Sequence, residues 1–196
     1  SGKTNYLHTI TQAFVDGRQL ITDADGEALS NMERLQLKGY AEIIEKNWEK
    51  VIAEAVFKYA GSTYKDLGKL HQLIEDDNDN IDKEYRAYAK HWGEMKGFSL
   101  ALQTGRKNLG ETSVKLNRLT GFSPVLLGDT QVIGIDAKGN YIQGPSESMA
   151  EYKLHMMKVQ KLMVDQFGVK DRSHDVLAGM AELAEKLGSG HSAEND

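Results

Sequence analysis

The sequence predicts an all-α protein, a helical bundle of about five main helices with one long irregular excursion at residues 105–145. Apolar residues recur at helical spacing through most of the chain. Two Ser-x-x-Glu patterns mark the starts of helices. Both prolines and seven of the nineteen glycines fall between Gly105 and Pro145, which favours an irregular segment there over another bundle helix.

The first two helices are predicted from apolar stripes. Between Thr4 and Thr22 apolar side chains recur every three or four residues, and the sequence DADG then turns the chain. Ser30 followed by Glu33 matches a capping box, in which the two side chains satisfy backbone N–H groups at the start of a helix. The stripe that follows continues to Tyr59 through about eight turns and predicts the longest helix.

Breaks between helices are predicted from glycines and acidic residues. Gly61 and Ser62 are expected to break or kink the long helix, after which helical periodicity extends to the run EDDNDNIDKE. This run lacks the glycine and glutamate positions of an EF-hand, so it is interpreted as a solvated loop and helix cap. The next helix is predicted from Asp82 to Thr104, ending at Gly105.

The excursion and the end of the chain contain shorter elements. Within the excursion, ETSVKLNRL predicts a short helix and TQVIGIDAKGNYIQ a small hairpin with a turn at AKGN. Ser148 and Glu151 form the second capping box, and a methionine-rich apolar stripe follows it to Gly168, where methionines are expected to fill the core. A last helix is predicted from Ser173 to Leu187. Residues 1–187 are expected to form a single helical-bundle domain, and residues 188–196 a disordered tail.

Composition excludes several classes of function. The 196 residues are 40% hydrophobic and 27% charged, with a net charge of −5 and no basic stripe with interleaved aromatics, so nucleic acid is not an expected partner. No apolar run is long enough to form a transmembrane segment. The absence of cysteine excludes disulfides, thiol catalysis and thiolate metal sites, so any metal must be held by His, Asp, Glu or carbonyl oxygen.

The sequence KHWGEMKGF contains the first candidate site. His91 and Glu94 are three residues apart, so on a helix they lie about 60° apart and both side chains reach one small ion or ligand. The alternative is structural, because a histidine on an apolar face is commonly a hydrogen-bonded core residue with the neighbouring glutamate as its partner. The spacing is not that of the His-Glu-x-x-His zinc-protease motif.

A second pair lies on the methionine-rich helix. Glu151 and His155 are four residues apart, so if the two helices pack face to face, two carboxylates and two imidazoles converge in the bundle interior. We therefore predict His91, Glu94, Glu151 and His155 as metal ligands. Glu54 and Asn47, near the edge of the apolar stripe of the long helix, are further candidates.

Three stretches resemble a known family. They are AFVDGRQLI, YAKHWGEMKGFSLALQTG and GIDAKGNYIQGPSESMAEYKLHMMKVQKLMV, and they are similar to the uncharacterised bacterial family called domain of unknown function 4856. That family resembles imelysin-like and iron-regulated envelope proteins, which are helical and carry a His-x-x-Glu motif proposed as a metal site. Only His91 and Glu94 match that motif. Full members carry an additional His-Trp-x-Glu segment earlier in the chain, so the resemblance implies that this sequence is the C-terminal half of a longer protein.

The resemblance implies a periplasmic protein or outer-envelope lipoprotein that binds a metal or metal-containing ligand for iron or haem acquisition. A divalent ion is the expected cofactor, with iron, zinc and calcium all compatible with His and Glu ligands. The expected partner is the N-terminal half or another envelope protein. Two alternatives stay open: a metal-independent protein-interaction module, and a metal-dependent hydrolase or peptidase. Enzymatic activity is the less favoured reading, because no further base near an open metal position is evident.

Overall fold

A computed structural model describes residues 5–76, 79–105, 107–170 and 179. It confirms the all-α prediction, because within these residues helices dominate and the single sheet has two strands. In chain order the elements are α1 (Tyr6–Asp23), α2 (Asn31–Glu75), α3 (Ile81–Gln103), α4 (Glu111–Thr120), β1 (Thr130–Ile135), β2 (Tyr141–Pro145) and α5 (Met149–Phe167). The predicted Ser173–Leu187 helix and the tail at 188–196 lie outside the described residues, Gly179 excepted.

The chain divides into two compact units, the first ending at Ile52. This unit contains α1 and the first part of α2. Asn5 caps α1 by accepting a hydrogen bond from the backbone N–H of His8 at 3.1 Å. Gly17 is buried where α1 faces α2 within this unit, and an added Cβ there would lie 3.4 Å from Leu37, an ordinary van der Waals distance.

The second unit begins at Ala53 and contains the larger core. Its core is built from α2, α3, α4 and α5 and is rich in methionine, as predicted. The largest fully buried apolar side chains are Val56, Leu67, Leu70, Tyr88, Met95, Leu116, Val125, Met156, Val159 and Met163. The expectation of one domain spanning residues 1–187 stays a prediction.

Helix α2 runs without a break through Gly61 and Ser62, so the expected break there is wrong. An added Cβ on Gly61 would lie 2.7 Å from the side-chain nitrogen of Gln160 on α5. That nitrogen donates a hydrogen bond to the Phe57 carbonyl at 3.1 Å. The glycine therefore leaves room for the Gln160 side chain, and glycine within a helix has only a modest cost.

The excursion contains the predicted short helix and hairpin. Strands β1 and β2 pair antiparallel, with an irregularity between Val132 and Gly134. The Asp136 carboxylate closes the turn by accepting from the backbone N–H groups of Lys138 and Asn140, both at 2.8 Å. These are the hydrogen bonds of a turn-forming aspartate, which agrees with the interpretation of DAKGN as a turn.

Both predicted capping boxes are present. At α5 the Ser148 side chain accepts from the backbone N–H of Glu151, and the Glu151 carboxylate accepts from the backbone N–H of Ser148. The Ser30 and Glu33 pair makes the same exchange at α2. Helix α5 ends at Gly168, whose φ of 64° is in the left-handed region that glycine adopts without strain. Local sequence signals thus set the bounds of α5.

Candidate ligand site around His91

The His91 side chain on α3 contacts a buried carboxylate of α2. Its Nδ1 lies 2.5 Å from Oδ2 of Asp66. The Asp66 side chain is 7% exposed, whereas that of His91 is 30% exposed. One side of the imidazole is therefore held by an almost fully buried acid, while part of the ring reaches the surface.

Asp66 occupies a core position of α2. The buried residues Thr63, Asp66, Leu67 and Leu70 follow helical spacing along one face. A carboxylate at such a position needs a polar partner, because burying it unpaired costs several kcal/mol, on the order of 3–5 when a partner is removed. His91 supplies that partner. An aspartate within an otherwise apolar stripe is the sequence signal that would have identified Asp66, and the sequence prediction did not use it.

Aromatic rings lie beside His91. The ring centroid of Tyr59 is 6.1 Å from that of His91, and Tyr59 stacks on Phe98 at 5.8 Å with an interplanar angle of 6°. The Lys58 ammonium lies 5.2 Å from the centre of the Tyr59 ring. The surroundings of the imidazole thus combine one carboxylate with apolar ring surface.

Glu94 is half-buried and lies one turn further along α3. Among the residues that the structure describes, none forms a hydrogen bond or ion pair with its carboxylate. The structural alternative expected Glu94 to be the partner of His91. In the structure that partner is Asp66. Glu94 retains its capacity as an oxygen donor on the same helix.

Glu151 and His155, the second predicted pair, each contact another residue. Glu151 belongs to the capping box of α5. His155 Nδ1 lies 3.1 Å from Oε2 of Glu147 in an ion-pairing contact that lacks hydrogen-bond geometry. Within residues 5–76, 79–105 and 107–170, no three His, Asp or Glu side chains gather as a group that could hold a metal ion. Convergence of all four predicted ligands on one ion therefore stays a prediction.

The further candidates, Asn47 and Glu54, belong to different compact units. The Asn47 side chain donates to the Ile43 carbonyl at 2.8 Å within the first unit, whereas Glu54 belongs to the second. Neither residue takes part in the contacts described around His91.

His155 confers a pH dependence on stability. Burial lowers the pKa of His155, an effect that the carboxylate of Glu147 opposes and the ammonium of Lys158 reinforces. Because the folded pKa lies below the unfolded value of about 6.5, the unfolded state takes up the proton first as the pH falls. The effect of His155 on the free energy of unfolding is therefore absent well above pH 6.5. Below that pH, His155 destabilises the fold progressively.

We expect His155→Gln to reduce the fall in melting temperature between about pH 7.5 and about pH 5.5. Thermal unfolding followed by circular dichroism at both pH values measures this. His8→Gln, which alters an exposed histidine of α1, serves as the control and should keep the wild-type pH dependence. Equal pH dependence in His155→Gln and wild type would contradict the assignment.

A hydrogen-bonded cluster joins α3, α4 and α5 close to the site. The Trp92 indole N–H lies 2.7 Å from the Tyr152 hydroxyl and 3.1 Å from the Thr120 carbonyl, to which the Tyr152 hydroxyl also donates at 2.7 Å. The Lys96 ammonium donates to the Thr120 hydroxyl at 3.2 Å. Burial raises the pKa of Tyr152 and lowers that of Lys96. This cluster fixes α3, and with it His91, against α4 and α5.

The sequence prediction missed this cluster. Trp and Tyr each carry a polar group that needs a partner when buried, so Trp92 and Tyr152 in two apolar stripes were the available signal. The third member, the carbonyl of Thr120, is a backbone group, and no side-chain pattern marks it.

Comparison with protein-family models, with curated proteins and with solved structures gives no significant match. The family resemblance and the function that it implies therefore stay predictions. Among the described residues, no helix combines the length and apolar character needed to cross a membrane.

Proposed function

We propose that this protein is a bacterial cell-envelope binding protein, imelysin-like, that holds a metal or a metal-containing ligand through His91 for iron or haem acquisition. The contact between His91 and Asp66 is the observation that carries the proposal. Envelope location and the link to iron or haem come from the family resemblance.

The contact with Asp66 supports a metal-ligand role for His91. An ionised carboxylate only accepts hydrogen bonds, so the proton of a neutral imidazole resides on Nδ1, which contacts Asp66. The other ring nitrogen, Nε2, then carries the lone pair. In metal sites a carboxylate commonly orients a ligating histidine in this way and raises its basicity.

Glu94 is the proposed oxygen donor beside it. It lies on the same helix, and no described residue competes for its carboxylate. One imidazole and one carboxylate suit iron or zinc better than calcium, which prefers oxygen ligands. Two protein donors leave other coordination positions to be filled, which favours a metal that arrives within a ligand over a bare ion in a closed structural site.

The test begins with elemental analysis of protein purified without chelators or an affinity tag. Ferrous iron, zinc and haemin are then titrated into wild type and a His91→Ala/Glu94→Ala variant, with binding followed by calorimetry or absorbance. We expect one of these probes to bind stoichiometrically to wild type and to lose all measurable binding in the variant. Wild type that binds none of them, or a variant that binds as well as wild type, would overturn the proposal.

Two further variants make the titration specific. His71→Ala/Glu75→Ala removes an exposed pair on α2, whose side chains are 3.4 Å apart, and serves as the matched control. Binding should be unchanged in that control. Glu151→Gln/His155→Gln tests the second predicted pair: binding that survives this change limits the site to α3, whereas its loss restores the four-ligand arrangement.

A metal-independent interaction module is the second candidate, favoured by the surface of the first unit. Leu7, Phe14 and Ile21 follow one another at intervals of seven residues on α1, and their exposed fractions are 76%, 60% and 53%. A row of exposed apolar side chains on one helix face typically marks a surface that another protein covers. The partner proposed here is the N-terminal half that the resemblance implies, or another envelope protein.

Surface plasmon resonance with the separately expressed N-terminal half tests this second candidate. Leu7→Ser/Phe14→Ser should abolish binding, whereas Val114→Ser, which alters an exposed apolar residue of the second unit, should preserve it. Equal binding by both variants would exclude the α1 face as the docking surface.

A further inference from the structure

A groove between α4 and α5 is lined by the same short pattern from each helix. The sequences KLNRL at 115–119 and KVQKL at 158–162 share one pattern: a basic residue, two other residues, a second basic residue and a leucine. The two patterns face each other across a cavity of about 360 Å³ that Asp165 completes. Because residues three and four apart share one helix face, each helix presents two cations and one leucine to the groove.

The rim of the groove is positively charged. Its cations are Lys115, Arg118, Lys158 and Lys161. Lys161 pairs with Asp165 at 2.5 Å, the one acidic residue of the lining, whereas no carboxylate of a described residue forms an ion pair with the other three. In a chain of net charge −5, this is a local concentration of positive charge and attracts anions.

The floor of the groove is apolar. Leu119 and Leu162 are half-buried there, and the aliphatic stems of the lysines extend the apolar surface beneath their charged ends. An anion without an apolar part would contact the rim and leave this floor exposed to water. The combination therefore matches a ligand that is itself charged at one end and apolar along its length.

We propose that this groove binds a single-chain anionic amphiphile, with the anionic head between the cations and the alkyl chain along the two leucines. The cavity volume falls within the range of small-molecule sites, about 300–1,000 Å³. The lining combines four cations with two leucines, which suits an anionic head joined to one alkyl chain.

Isothermal titration with dodecyl phosphate below its micelle concentration tests the charged rim. Arg118→Gln/Lys158→Gln removes two exposed cations from opposite sides of the groove, and we expect it to weaken binding by at least about tenfold. Lys46→Gln/Lys65→Gln removes two exposed cations that do not line the groove and should retain wild-type affinity. Equal weakening in both variants would show a non-specific charge effect and overturn the proposal.

Two comparisons between ligands test the position of the alkyl chain and the need for an anionic head. Octyl phosphate should bind at least about tenfold more weakly than dodecyl phosphate if the chain lies on the leucines, and dodecyl maltoside should bind more weakly still because it lacks a charge. Equal affinity for either pair would refute the arrangement. Binding to phosphatidylglycerol vesicles without binding to monomeric dodecyl phosphate would replace the proposal with docking to a membrane surface.

Discussion

Replacing Trp92 by alanine is expected to lower the free energy of unfolding by about 3 kcal/mol. The change removes a half-buried ring and the indole N–H that binds Tyr152 and the Thr120 carbonyl. For a chain of this length such a loss corresponds to a fall in melting temperature of roughly 6–12 °C. Thermal and urea unfolding followed by circular dichroism measure it.

Trp48 provides the matched control for this experiment. It is 57% exposed, so Trp48→Ala should change the free energy of unfolding by less than about 1 kcal/mol. If the two alanine variants melt within experimental error of each other, the cluster around Thr120 does not stabilise the fold as inferred. Tyr152→Phe, which removes the hydroxyl alone, should fall between Trp92→Ala and wild type.

Asp66→Asn is expected to weaken metal or metal-ligand binding by about 10- to 100-fold, although residue 66 touches no ligand in the proposed arrangement. Asparagine preserves the shape of the side chain but removes the carboxylate that lies 2.5 Å from Nδ1 of His91. Titration with whichever probe binds wild type, repeated across pH, measures both the affinity and its pH dependence.

Glu147→Gln is the control for Asp66→Asn, because it removes the carboxylate that faces the other histidine, His155. It should change affinity by less than about twofold if the site lies on α3. A purely structural role for Asp66 predicts a lower melting temperature with unchanged affinity and unchanged pH dependence of binding. That outcome would assign the buried pair to packing alone.

Local signals in the sequence predicted most of the elements, and long-range contacts account for what was missed. The capping boxes at Ser30 and Ser148 act within three residues, so their patterns are visible in the sequence and both were confirmed. The break predicted at Gly61 was wrong because the glycine there accommodates the side chain of Gln160, about a hundred residues away. Tertiary contact outweighed local propensity at that position.

At the candidate site, too, local spacing was predictable from the sequence and long-range contacts were not. Helical spacing was sufficient to place His91 and Glu94 on one helix. It did not identify Asp66 as the partner of His91, because that contact joins two helices and depends on how they pack. Spacing predicted Glu151 both as a capping residue and as a metal ligand; the capping contact is confirmed, and the ligand role stays a prediction.

The Thr120 carbonyl has a consequence for how the second unit opens. The last carbonyl groups of a helix ordinarily face solvent, so the final turn frays and its amides exchange with solvent quickly. At the end of α4 this oxygen accepts hydrogen bonds from side chains of α3 and α5. Unwinding the last turn of α4 therefore requires both neighbouring helices to release it. Hydrogen–deuterium exchange should find these amides protected in one cooperative step together with the middle of α3 and the start of α5.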